Sequence, residues 1–260
     1  MAYDTIRVEN KGKTAVLRLN RPEVRNAFDA AMVREVRQAF ESFQTDAGVR
    51  CVVVTGEGGS FCSGVDLRWL GAGQDLPREE HEAQTLEISR MFRSIYDLDK
   101  PVLAAVEGAA LGGGVGFLAV ADIVIASSSA VFGLSEVRIG VVPACIAPYL
   151  LLRSPQRAML KSLFISGVRF GAEEARAAGL LDLIAEPGRA LPDALAKAAS
   201  LMDAAPLAQG VCKQLFRTLP GMSLDEAMRH TARVLAEIKT GNEAKKGIEA
   251  FLNKRKLDWA

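Results

Sequence analysis

Three glycines in a row, Gly112, Gly113 and Gly114, follow an apolar run at 101–106 (PVLAAV) and open an uncharged stretch that lasts to Ala121. Glycines at a helix start leave backbone N–H groups bare, and the helix dipole favours negative charge at that end. The segment therefore offers a main-chain site for an anion. Spacing excludes a nucleotide phosphate of the usual kinds. Counted from Gly112, the third glycine of G-x-G-x-x-G falls on Phe117, and no lysine completes G-x-x-x-x-G-K. Tight helix–strand packing would use the same glycines.

A second junction of this kind, 60–67 (SFCSGVDL), follows the run 51–55 (CVVVT). Two such junctions, each after a buried strand, can each present one N–H, and two converging donors make an oxyanion hole. A carboxylate comes from Glu136 in 132–143 (FGLSEVRIGVVP). Apolar surroundings raise a carboxyl pKa and fit it for proton transfer near neutral pH. A partly exposed Glu136 paired with Arg138 is the alternative.

The elements that must position these groups are legible in the periodicity. Thr14–Leu19 (TAVLRL), 51–55, 101–106 and 122–126 (DIVIA) read as strands, the later three as strands buried on both faces. Asp29 can cap a helix over 30–43 whose apolar stripe is Met32, Val33, Val36, Ala39, Phe40 and Phe43. The stretch 78–98 carries a second stripe at Ile88, Met91, Phe92 and Ile95. From Pro155 onward the pattern is almost entirely helical, with runs at 190–203, 207–218, 223–239 and 242–254. A boundary near Pro206 separates an α/β core, 1–205, from a helical segment, 206–260. That segment's apolar faces, including Val211, Leu215 and Phe216, suit a subunit interface.

Composition sets the outer limits. The 260 residues are 49% apolar and 24% charged, which excludes disorder as the main state. The net charge of +1 argues against broad nucleic-acid or anionic-membrane binding. The start carries no apolar signal segment, and the stretch 108–121 is too short to span a bilayer. Four cysteines without a C-x-x-C pair and two histidines give no zinc pattern. The expectation is a reduced, cytoplasmic enzyme without a metal. Cys62 and Cys145 read as small buried residues, and His81 and His230 as solvated or helix-face histidines.

In order along the chain, NRPEVRNAF at 20–28, FCSGVDL at 61–67, KPVLAAVEGAALGGG at 100–114 and FGLSEVRIGVVP at 132–143 resemble the enoyl-CoA hydratase/isomerase (crotonase) superfamily. The stretch at 166–180 and FLNKRK at 251–256 fit the same pattern. The resemblance implies an α/β fold, a spiral of ββα units with a C-terminal helical trimerisation region, assembled as a homotrimer or homohexamer. It implies an acyl-CoA thioester substrate, with coenzyme A part of that substrate and no separate cofactor. It puts the oxyanion-hole N–H groups on Val65 and Gly113, and makes Glu136 the acid/base. Contacts to CoA or the acyl group are implied for Arg25, Ala27, Ser63, Gly64, Asp66, Leu67, Trp69, Gly112, Phe251 and Lys254.

One departure bears on mechanism. Simple crotonyl-type hydratases carry a first glutamate two residues after the glycine triplet, where this chain has Gly116. The dehalogenase branch fits poorly, because its aspartate and histidine positions hold Ala144 and Ser89. GGGVGF, LSEVRIGVVPA and IAPY are most similar to bacterial methylglutaconyl-CoA hydratases. The implied reaction is hydration of an enoyl-CoA, branched or carboxylated. A Δ3,Δ2-enoyl-CoA isomerase using Glu136 alone is the alternative, and a non-catalytic acyl-CoA-binding scaffold is the alternative of another class.

Overall fold

The computed structural model describes residues 3–73, 75–257 and 259. The extreme ends of the two regions read from sequence, and the first two residues of the chain start, therefore lie outside the described residues. A six-stranded sheet organises the first two thirds of the chain. Its strands are β1 (Ile6–Lys11), β2 (Thr14–Leu19), β3 (Cys51–Gly56), β4 (Val102–Val106), β6 (Ile123–Ser127) and β9 (Leu183–Ala185), in the order β1-β2-β3-β4-β6-β9. β1 and β2 are an antiparallel hairpin; every later pairing is parallel. A second sheet of three short strands, β5 (Ala109–Leu111), β7 (Val131–Gly133) and β8 (Arg169–Gly171), runs in the order β5-β7-β8.

Parallel strands need crossovers, and most of those here are helical. α1 (Ala30–Thr45) joins β2 to β3, while α2 (Leu67–Ala72) and α3 (Arg78–Tyr96) join β3 to β4. α4 (Gly113–Val120) joins β5 to β6. After β7 come α5 (Ala147–Arg153), α6 (Arg157–Ser166) and α7 (Ala172–Ala177), then α8 (Ala190–Leu201) behind β9. The chain closes with α9 (Pro206–Thr218), α10 (Leu224–Thr240) and α11 (Asn242–Leu252).

Alternation along the strands explains two cores. Val52, Val54 and Ala104 face the main core with α1, α3 and α4; Cys51, Val53, Leu103 and Ala105 face the other way and are covered by Ala194 and Ala198 of α8. Both faces are dry, which is why β3 and β4 read as unbroken apolar runs. α1 buries Met32, Val33, Val36, Ala39, Phe40 and Phe43, and the Asp29 carboxylate accepts from the Met32 N–H at 2.9 Å as its cap. α4 is buried at every position, so no polar face marks it as a helix.

The early loop is fixed by one buried side chain. Asn26 accepts from the Arg21 N–H through Oδ1 and donates from Nδ2 to the Glu57 and Ser60 carbonyls at 2.9 and 2.8 Å. It sits at φ +56°, in the left-handed region that asparagine tolerates better than most residues. This side chain ties the loop after β2 to the loop after β3. Asn26→Ala leaves three backbone groups without their partner. Urea denaturation of that variant is expected to show about 1–3 kcal/mol lost; unchanged stability would mean that water replaces the amide.

Candidate active site

The residues that could do chemistry meet where the loop after β3 runs beside the start of α4. Cys62 pairs with Ala110 as an isolated parallel bridge, its N–H donating to the Ala109 carbonyl and its carbonyl accepting from the Leu111 N–H. Phe28 pairs with Val65 in the same manner: the Phe28 N–H donates to the Gly64 carbonyl at 2.8 Å, and the Asp66 N–H to the Phe28 carbonyl at 2.9 Å. In a parallel ladder those bonds use the residues either side of Val65. The Val65 N–H therefore points away from Phe28.

Glycine allows the approach. Gly64 sits at φ +91°, and a Cβ there would lie 2.8 Å from the Leu111 carbonyl oxygen and 3.1 Å from the Gly113 nitrogen. A Cβ on Gly113 would lie 2.6 Å from the Phe28 ring. Gly112, at φ +53°, donates its own N–H to the Gly133 carbonyl and leaves the Gly113 N–H as the first free donor of α4. Among the described residues neither the Val65 nor the Gly113 N–H donates to a backbone carbonyl. Both residues line a cavity of about 560 Å³.

Glu136 lines the same cavity, on a 3-10 turn over Ser135–Ile139. A Cβ on Gly112 would stand 3.1 Å from its Oε1, so the carboxyl rests directly over the glycine triplet. Its Oε2 is buried with no hydrogen-bond partner among the described residues. Burial holds its pKa above the ordinary carboxyl value. Arg138 makes no ion pair with it; it is exposed and is among the residues lining the cavity. Among the described residues lining the cavity, Glu136 is the one carboxylate.

The position where a second carboxylate would be expected is closed. A Cβ on Gly116 would run into Ile146 Cγ2 and stand 2.7 Å from the Phe92 ring. Phe28, Phe61, Phe92 and Phe117 pack edge to face around this point, with the Phe92 and Phe117 centroids 5.3 Å apart. The missing side chain is replaced by hydrocarbon and leaves no empty space.

Of the residues singled out by sequence, Ser63, Gly64, Val65, Leu67, Trp69, Gly112, Gly113 and Glu136 all line the cavity. Five others stand outside its lining. Arg25 is exposed, at φ +54°. Ala27 is buried, and its carbonyl accepts from the Arg21 guanidinium. Asp66 is buried in a structural network: it caps α2 through the Arg68 N–H and pairs with Arg21 at 3.0 Å. Burial pushes the Asp66 carboxyl up, but these bonds outweigh it and hold the pKa below its ordinary value. Phe251, 83% exposed at the end of α11, and the exposed Lys254 lie apart from the cavity in this chain.

One reading from sequence, that of Cys145, needs correction. Cys62 is fully buried, its pKa pushed up to about 12 by burial. Cys145, by contrast, is only partly buried and forms part of the cavity wall, its Sγ 3.7 Å from the Thr85 carbonyl. His81 is a helix-face residue, but the face is the cavity wall, which it shares with Gln84, Thr85, Ile88 and Phe92 on α3. These positions continue the apolar stripe of α3 toward its N-terminus at helical spacing. That continuation was the available signal, obscured by polar residue types. Among the described residues no cluster of three His, Cys, Asp or Glu side chains could hold a metal, and no helix is long and apolar enough to cross a membrane.

Comparisons with known proteins give the family. The sequence profile of the enoyl-CoA hydratase/isomerase family matches residues 9–260. A Thermus thermophilus protein named for enoyl-CoA hydratase activity is 38% identical, with 94% of this chain and 96% of that one aligned. A crotonyl-CoA hydratase of Syntrophomonas wolfei is 32% identical over 100% and 99%. The crystal structure of an enoyl-CoA hydratase from a Polaromonas species superimposes with a TM-score of 0.91 at 32% identity, covering 96% of this chain and 98% of the other. The chain belongs to the enoyl-CoA hydratase/isomerase family and has the crotonase fold; it is an enzyme of that family.

The buried carboxyl has a consequence for stability. Its pKa is higher in the folded than in the unfolded chain, so the native state binds the extra proton and its ionised form is destabilising. The protein should gain stability from this group as pH falls through the raised folded pKa toward the ordinary carboxyl range. Glu136→Gln removes the ionised form. Thermal denaturation should show the variant more stable than wild type at pH 8, with the gap closing as the pH is lowered. A gap independent of pH would show that Glu136 titrates normally.

Proposed function

We propose that this enzyme adds water across the 2,3 double bond of an enoyl-CoA thioester, through a thioester enolate whose oxygen is held by the N–H groups of Val65 and Gly113. The observation that carries this reading is the pair of uncommitted N–H donors on the cavity wall, with a single buried carboxyl over the same glycine turn. Charge develops on the thioester oxygen as the nucleophile adds, and preset donors stabilise it without reorganising. Glu136 deprotonates the attacking water and returns a proton to Cα. Burial raises its pKa above the ordinary carboxyl value, the direction that suits a group that must both accept and return a proton.

The substrate on this reading is a branched or carboxylated enoyl-CoA such as 3-methylglutaconyl-CoA, with coenzyme A reaching out past Arg25 and Ala27. Phe251 and Lys254 contribute to the CoA site from a neighbouring subunit of a homotrimer or homohexamer. Supporting this, α9 to α11 expose Phe216, Leu224, Leu235, Phe251 and Leu252, a surface this chain leaves uncovered. Four unbridged thiols suit a reducing, cytoplasmic setting. Light scattering at micromolar concentration reads the assembly directly, and a monomer would overturn it.

A second reading has its own observation. The filled space at Gly116 leaves one carboxyl for all proton transfers, and moving a proton between Cα and Cγ requires only one. A Δ3,Δ2-enoyl-CoA isomerase is therefore the competing activity. Turnover in ¹⁸O-water separates the two, because hydration places the label in the product and isomerisation does not. Glu136→Gln should lower kcat by about 10²- to 10⁴-fold with little change in thioester binding. Val65→Pro, which deletes one donor, should cost about 10²-fold or more, whereas Val65→Ala should be nearly silent. Full activity in a folded Val65→Pro protein would remove Val65 from the site.

A further inference from the structure

Two segments line the cavity with exposed aliphatic side chains. α2 contributes Leu67 and Leu70; the end of the 3-10 turn and the run after it contribute Ile139, Val141 and Val142. Leu67 is 60% and Val142 69% exposed, although both stand on a cavity wall. Single exposed aliphatic residues are ordinary on a protein surface, but a cluster bordering one cavity marks a binding surface. The chain itself ties this rim to the chemistry. Leu67 and Leu70 follow Val65 by two and five residues, and Ile139, Val141 and Val142 follow Glu136 by three, five and six. Leu67 and Leu70 stand three apart on α2, neighbours on one face. The rest of the apolar lining, Phe28, Ile88, Phe92 and Ile146, is buried. Ile146 and Phe92 fill the space beside Gly116, so an acyl chain finds no room there. The exposed rim is the apolar surface left to it.

We propose that this rim carries the distal part of the acyl chain, and that the preferred substrates are enoyl thioesters with an extended hydrocarbon chain beyond the double bond. This rests on the hydratase reading above. It names the length class of the acyl group, with Leu70, Ile139 and Val142 as specificity-determining residues, and leaves a branch at Cβ untouched. Each methylene moved from water onto an apolar surface gains affinity, about fourfold when wholly buried and less on an open rim. The amides and phosphates of coenzyme A would lose water against these side chains and gain no hydrogen bond in return. Arg138 is the one arginine or lysine among the described lining residues, so the rim offers little to a phosphate. The occupant that continuity with the cavity favours is therefore the hydrocarbon end of the thioester already held at Val65 and Gly113 on that reading.

The test measures kcat/KM for trans-2-butenoyl-CoA, trans-2-hexenoyl-CoA and trans-2-decenoyl-CoA. In the wild-type enzyme the value is expected to rise by about tenfold or more from four carbons to ten. Leu70→Gln and Val142→Thr should each cut the ten-to-four ratio by about threefold, chiefly through KM of the longer thioester. Val142→Leu adds apolar surface and should raise the ratio. Ile139→Thr, at a third exposed position, serves if one of the polar variants fails to fold. A flat or falling series in the wild type, or a ratio unmoved by all of these changes, overturns the rim while leaving hydration standing. An unmoved ratio in variants whose mass by light scattering drops would make the rim a contact between copies of the chain, and overturns it equally. Failure to hydrate any of the three thioesters takes down the hydratase reading and this proposal with it.

Discussion

The close approach of two backbone segments, the loop around Gly64 and the turn around Gly113, is the constraint on which the site depends. Side chains cannot mediate it, because a Cβ on Gly64 would stand within 3.1 Å of the Gly113 nitrogen. The approach is held from outside by two isolated bridges, Cys62 to Ala110 and Phe28 to Val65. The Phe28–Val65 bridge is made through hydrogen bonds on the residues flanking Val65, which leaves the Val65 N–H directed away from Phe28. The approach is a property of main-chain pairing and of the missing Cβ atoms at Gly64 and Gly113.

Support comes from two dissimilar networks. On the dry side, Phe28, Phe61, Phe92 and Phe117 clamp α4 against the loops with edge-to-face contacts. On the wetter side, Arg21 bridges the Ala27 carbonyl, Asp29 and Asp66. Asp29 caps α1 and Asp66 caps α2, so one guanidinium links the starts of two helices and the loop that leads into the first. Both carboxylates also accept backbone N–H bonds, which offsets the cost of partly burying the charges.

Much of this was legible in the chain. The α1 stripe, its Asp29 cap, the buried strands and both glycine junctions follow from local periodicity and turn chemistry. Glu136 stood out because a carboxylate amid apolar residues is rare. The short strands β5, β7, β8 and β9 were not legible, since three residues carry no period and each exists by pairing with a distant partner. Nor was the role of Asp66 apparent: its partner, Arg21, is 45 residues away. The cavity wall on α3 escaped for a related reason. His81 and Gln84 have surface residue types, and only the approach of 141–146 turns their face inward.

The hydrocarbon plug behind Gly116 constrains how this active site can change. A chain that acquires a glutamate at 116 must at once displace Ile146 and Phe92, and Phe92 also braces Phe28 and Phe117. Introducing the glutamate first overpacks the core against Ile146 and Phe92. Shrinking Phe92 or Ile146 first opens a cavity in place of the plug and carries its own cost. The one-carboxylate and two-carboxylate arrangements are thus separate packing solutions with a barrier between them. Laboratory evolution toward a second acid at this position has to cross it with at least a coordinated pair of mutations.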